Sequence, residues 1–202
     1  FAQASDYDRI TPDVLREFYR KYYHSGNCSV YVSGKVTPEI IRCIETNLGD
    51  TPWGEIRQMP LLELIAPQQT TEKHVFVEKA DALQSSLKMG GFMMDRNHPD
   101  FLKARVMVTL FGGYFGSRLM SNIREDKGYT YGIGAGIVNC PGSGVLAITT
   151  EADNQYIDAI ITEVYREMDR MCNDLAPQEE LEMVRSYMLG DFSRSYEGPF
   201  SL

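Results

Sequence analysis

Two side chains near the middle of the chain have the right chemistry to act on a polarised substrate. Arg124 carries a planar fork of N–H donors that suits a carbonyl or a carboxylate, and Tyr131, seven residues later, carries a phenolic hydroxyl. The sequence places Arg124 in the last turn of a short helix and Tyr131 on a strand, with a chain reversal at Gly128 that can turn both towards one cleft. Each residue also has an ordinary role. An arginine near a helix C-terminus complements the helix dipole, and a strand tyrosine usually packs.

The elements that must position this pair run from residue 111 to 137. A glycine-rich turn (Gly112, Gly113, Gly116) leads to Ser117, a residue type suited to an N-cap. The helix after it should bury Leu119, Met120 and Ile123, and end with Lys127 at the negative pole of the dipole and Gly128 as the left-handed C′ residue. Simple alternation along the next strand puts Tyr129, Tyr131, Ile133, Ala135 and Ile137 on one face, and Thr130, Gly132, Gly134 and Gly136 on the other. Glycines repeated on one face predict a close neighbour there. The loop GGYFG is a poor phosphate cradle, because it lacks the G-K-[ST] ending and follows a helix rather than a strand. Arg118 reads as either a surface charge or an anion binder.

The pattern GG-x-x-G-S-R-L-x-x-x-I-R-E-x-K-G-x-x-Y, as it stands here, resembles the pitrilysin (insulinase-like) family of zinc metallopeptidases, which includes the mitochondrial processing peptidases. More narrowly it is similar to their second, non-zinc half. The resemblance implies that Arg124 and Tyr131 reach into an active site completed by the zinc-bearing half. It further implies that Tyr131 meets the oxyanion developing on a peptide carbonyl and Arg124 holds a substrate backbone carbonyl, or the reverse. One such donor is typically worth ~3–4 kcal/mol. Family members bind zinc through H-x-x-E-H and a further glutamate, and none of those positions exists here. The implied cofactor assignment is therefore none in this chain and zinc in the partner half. The implied partners are that half, in the same polypeptide or a separate subunit, and peptide substrates. Alone, the chain should be inert. The alternative is a structural or interaction module of a family member that has lost activity.

A net charge of −8 over 202 residues argues against non-specific nucleic-acid binding, and no apolar run approaches the ~20 residues of a membrane span. The chain opens at Phe1 without methionine, as expected of a trimmed piece of a longer product. Cys28, Cys43, Cys140 and Cys172 form no C-x-x-C pair and read as buried free thiols; His24, His74 and His98 are scattered.

In chain order, Thr11 and Pro12 should open a helix to residue 23 with the stripe Val14, Leu15, Phe18, Tyr19 and Tyr22, followed by a buried strand at 28–34. Thr37 and Pro38 should open a second helix burying Ile40, Ile41, Ile44 and Leu48. Residues 1–50 thus form a helix–strand–helix unit resembling the end of the family's zinc half. Residues 51–70, broken by prolines and anchored by Trp53, read as a linker, and 71–202 as the non-zinc second-half domain, cut short at its C-terminal end. That domain should contain strands at 74–80 and 83–92, a central helix from residue 100 to Phe111, the strand after Gly128, and a turn at 140–143 into strand 144–152. A helix capped by Asp153 or Asn154 and one starting near Pro177 should follow. The fold class expected is α+β, two-layered, an antiparallel sheet covered on one face by helices. Strand 28–34 is expected to dock on that sheet in place of the family's closing unit.

Overall fold

The computed structural model describes residues 2–54, 70–140 and 142–198. Within these bounds the chain divides into two units, one of residues 2–54 with 194–198 and one of residues 70–193. Most of the linker expected at 51–70 lies outside the described residues.

The first unit is helical. After a single turn, α1 (Ala4–Tyr7), comes α2 (Pro12–Tyr22). The Thr11 hydroxyl accepts from the Val14 amide at 3.3 Å, and Pro12 occupies the position where a missing N–H is harmless. Helix α3 (Pro38–Ile44) also opens on a proline and widens into a π-helical turn, Glu45–Gly49. Trp53 is tied down as expected. Its carbonyl accepts from the Ser25 amide at 2.9 Å, and its indole N–H donates to the Leu48 carbonyl at 3.3 Å. Two expectations fail here. Residues 28–34 run without ladder hydrogen bonds and form no strand. The apolar residues of α2 and α3, Phe18, Tyr19, Ile40 and Ile41 among them, are exposed. A strand exists only by pairing, and a helical stripe is buried only by a facing layer; sequence pattern alone provides neither.

The second unit is the α+β layer pair. Its sheet has the order β1 (Ser85–Met93), β3 (Ser143–Ala152), β2 (Thr130–Cys140), all antiparallel. A tight hairpin joins β2 to β3, with Cys140 opposite Ser143 and Gly142 at φ +74°. The helices lie on one face: α4 (Phe101–Val108), running on into a π-helical turn Thr109–Gly113; the π-helical segment Met120–Asp126; α5 (Ile157–Asn173), after an Asp153 cap; and α6 (Gln178–Arg194). The core between the layers joins Phe111, Leu119 and Ile123 to Ile133, Ile148 and Ala152, and closes on Ile160 and Val164 of α5. Each large aliphatic side chain buried there contributes roughly 1.5–3 kcal/mol. On the sheet's other face Ser86, Lys88, Thr149 and Glu151 are exposed among the described residues.

Here too the structure corrects the sequence reading. Residues 74–80 form no strand, and Val75, Phe76 and Val77 are exposed. Helix α4 buries Phe101, Ala104 and Val108 but exposes Leu102, Val106 and Met107, so it is one-sided rather than central. The four cysteines are free but exposed.

Candidate functional site

The site starts from a register shift. Along β3, Ile148, Thr150 and Ala152 point into the core. Their partners on β2 are Ala135, Ile133 and Thr130. Residues opposite one another in an antiparallel ladder share a face. Three steps along β2 therefore match two along β3, and Tyr131 and Gly132 together oppose Glu151. This is a β-bulge. It overturns the simple alternation: Thr130, not Tyr131, joins Ile133 on the core face, and Tyr131 swings out to 91% exposure.

The helix preceding the strand then brings Arg124 to it. Gly128, at φ +64°, reverses the chain and donates its N–H to the Arg124 carbonyl at 3.0 Å. The Arg124 guanidinium carbon lies 5.6 Å from the centre of the Tyr131 ring and 4.7 Å from that of Phe115. Arg124 thus lies within cation–π range of two aromatic rings, with one nitrogen on Glu125. Phe115 was not singled out from the sequence; the aromatic inside the GGYFG loop, nine residues before Arg124, was the available signal. The Tyr131 hydroxyl makes no hydrogen bond among the described residues and stands at the rim of an open groove of about 610 Å³. Ser86 and Lys88 of β1 and Thr149 and Glu151 of β3 line this groove on the sheet face away from the core.

Two polar networks hold the loop and helix in place. Arg118 is partly buried, its side chain 10% exposed, and makes a bidentate pair with Glu180 of α6, 2.8 Å for each bond. Asn122 donates to Glu167 at 2.7 Å and to Glu163 at 3.1 Å, both on α5, and Lys127 stands 3.4 Å from Glu163. Burial pushes the Glu163 carboxyl up, but the Asn122 amide and the Lys127 and Arg166 cations outweigh it and hold the group below its ordinary value. Ser117 starts the helix through its carbonyl, which accepts from the Ser121 amide, while its buried hydroxyl caps nothing among the described residues. The close neighbour predicted for the strand glycines is met at Gly134 alone of the three: a Cβ there would lie 3.6 Å from the Gly112 carbonyl oxygen, whereas no described atom comes within 4 Å of one placed on Gly132 or Gly136.

No group of three or more His, Cys, Asp or Glu side chains among the described residues could hold a metal ion. The donors among the described residues do not make a zinc site. No helix among the described residues is long and apolar enough to cross a membrane.

Residues 9–188 match a family described as the peptidase M16 inactive domain. Among curated proteins, an uncharacterized zinc protease of Bacillus subtilis, YmxG, is 24% identical over 185 residues, spanning 92% of this chain and 44% of that protein. A Helicobacter pylori protein named as a non-peptidase homolog is 26% identical over 127 residues, 62% of this chain and 28% of its own length. Among solved structures, the peptidase M16 inactive domain from Pseudomonas fluorescens aligns with a TM-score of 0.75 at 22% identity, covering 94% of this chain and 45% of that one. The chain spans less than half the length of these relatives. Matched over most of its residues, it belongs to the peptidase M16 inactive-domain family, the non-zinc part of the zinc proteases.

Proposed function

We propose that this domain binds substrate peptides and assists their hydrolysis at an active site whose zinc is held by a partner half, and that it is inert alone. On this reading residues 1–50 are the end of the zinc-half domain, 51–70 the linker and 71–202 the inactive domain. The observation that carries the proposal is the proximity of Arg124 to Tyr131, 5.6 Å from guanidinium carbon to ring centre, where Tyr131 itself lines an open groove. A free phenolic hydroxyl there can donate to an oxygen that gains negative charge as a peptide carbonyl is attacked. The guanidinium, within cation–π range of Phe115 and Tyr131, has N–H donors suited to a backbone carbonyl.

The test is steady-state kinetics of the parent enzyme, or of this chain with the zinc-bearing half supplied. Tyr131→Phe should lower kcat by about 10²–10³-fold with little change in KM, because the bond matters mainly in the transition state. Full turnover by both Tyr131→Phe and Arg124→Ala would remove the assignment. The second reading, an interaction module without hydrolysis, draws on the Helicobacter pylori relative named as a non-peptidase homolog. A parent that cleaves no peptide under any zinc loading, yet needs this domain to assemble, would favour it.

A further inference from the structure

We propose that Thr130 and Thr150 are positioning residues for this site: their buried hydroxyl pair pins the β-bulge that turns Tyr131 out of the core and towards Arg124. The effect on turnover rests on the reading of Tyr131 given above; the effect on geometry does not.

A bulge removes one residue's backbone groups from the ladder, and buried groups left without partners are costly. Gly132 is one of the two residues in the bulge, and the two threonines bond both of its backbone groups. Its N–H donates to the Thr130 hydroxyl oxygen at 3.2 Å, and its carbonyl accepts from the Thr150 hydroxyl at 2.8 Å. The Thr130 hydroxyl in turn donates to the Glu151 carbonyl at 2.6 Å, the residue that the bulge straddles, and the two hydroxyl oxygens lie 2.9 Å apart. Each hydroxyl has one proton to give. The Thr130 hydroxyl also lies 3.1 Å from the Gly132 carbonyl, so giving the Thr150 proton to Gly132 and the Thr130 proton to Glu151 uses each proton once, on the shorter contact. Both side chains are buried, at 9% and 5% exposure, so water cannot readily take their place.

The alternative geometry is a regular ladder. In it Tyr131 would share the face of Ile133 and enter the space held by Leu119 and Ile123, while Thr130 would point outward. A threonine on a strand often needs no more explanation than its β-branched shape. Valine keeps that shape and removes only the hydroxyl, so Thr130→Val separates the two roles, and Thr130→Ser restores the hydroxyl without the methyl.

Nuclear Overhauser contacts from the Tyr131 ring to Phe115 and Arg124 should be present in the wild-type chain and in Thr130→Ser and lost in Thr130→Val. Exchange of the Gly132 amide should be at least about tenfold faster in Thr130→Val than in wild type. In the parent enzyme Thr130→Val should lower kcat by about 10²-fold at nearly constant KM, the size expected for a misplaced contact group. Thr130→Val combined with Tyr131→Phe should be no slower than Tyr131→Phe alone. Retained ring contacts and retained Gly132 protection in Thr130→Val would overturn the proposal, as would losses that multiply in the double variant. If Thr130→Val does not fold, the wild-type Gly132 amide decides: exchange at the rate of an open strand edge overturns the assignment, and protection upholds it. A silent Tyr131→Phe beside a displaced ring in Thr130→Val would sink the catalytic reading and leave the positioning role standing.

Discussion

Replacing Gly112 with alanine should destabilise the second unit by about 2 kcal/mol. A Cβ at this position would lie 2.6 Å from the Cβ of Ala135, 2.7 Å from the Ala135 backbone nitrogen and 3.0 Å from Cδ1 of Leu119. Ordinary carbon contacts are about 3.5–4.0 Å, so the shortfall is about 1 Å against a strand that the ladder holds in place. Overpacking of this kind typically costs ~1–3 kcal/mol, and a backbone obstacle argues for the upper end. Alanine recovers part of this, ~0.5–1 kcal/mol, because glycine loses more freedom on folding and Gly112 does not need a positive φ. Ala135→Gly in the same chain removes the 2.6 Å contact but leaves the 2.7 Å one, so it should return less than half of the loss. Urea unfolding followed by far-ultraviolet circular dichroism measures each term. A loss below ~0.5 kcal/mol, or full rescue by Ala135→Gly, would refute the reasoning. Gly136→Ala is the control: with nothing within 4 Å of its Cβ it should be neutral or slightly stabilising.

Arg118→Ala strands the Glu180 carboxylate in a site where its side chain is only 23% exposed. Removing one partner of a fully buried pair costs ~3–5 kcal/mol, and the residual exposure lowers the expectation to about 2, read as a shift in the urea midpoint. Glu163 makes stability acid-sensitive. Its folded pKa lies below its ordinary 4.5, so its contribution is complete above that value and fades as pH falls through the folded pKa. The stability gap between wild type and Glu163→Gln should accordingly narrow as unfolding is measured from neutral pH into acid; a gap independent of pH would show that the ion pairs to Lys127 and Arg166 do not set it.

Part of the capping chemistry was legible in the sequence, although Ser117 and Asp100 make no side-chain cap bond among the described residues. Thr11 with Pro12, Gly128 at its left-handed position and the Asp153 cap all act within a few residues, so local composition determines them. The core stripe of Leu119, Ile123, Ile160 and Val164 was readable for the same reason, since helical period alone selects it. Strands 28–34 and 74–80 were not, because alternation describes a segment able to pair and says nothing of whether a partner edge is present. The bulge lies outside what strict alternation can express. One added residue reverses which side chain faces the core, and the available warning was Gly132 within a strand next to a threonine that could bond the backbone. Arg124 and Tyr131 were legible as a pair, while Phe115, the other ring within cation–π range of Arg124, became visible only once the loop was placed.

The strand order also sets an order of assembly. Strands β2 and β3 meet across a two-residue turn, Cys140 facing Ser143, whereas Ser85 of β1 must find Ala152 across most of the unit's length. Closing a short hairpin takes microseconds, and a long closure loses more chain entropy before any contact rewards it. Thr130, Tyr131, Gly132 and Thr150 all belong to the early hairpin. The orientation of the candidate donor is therefore settled by the fast local step, and the slower arrival of β1 builds a wall of the groove beside a tyrosine already turned outward.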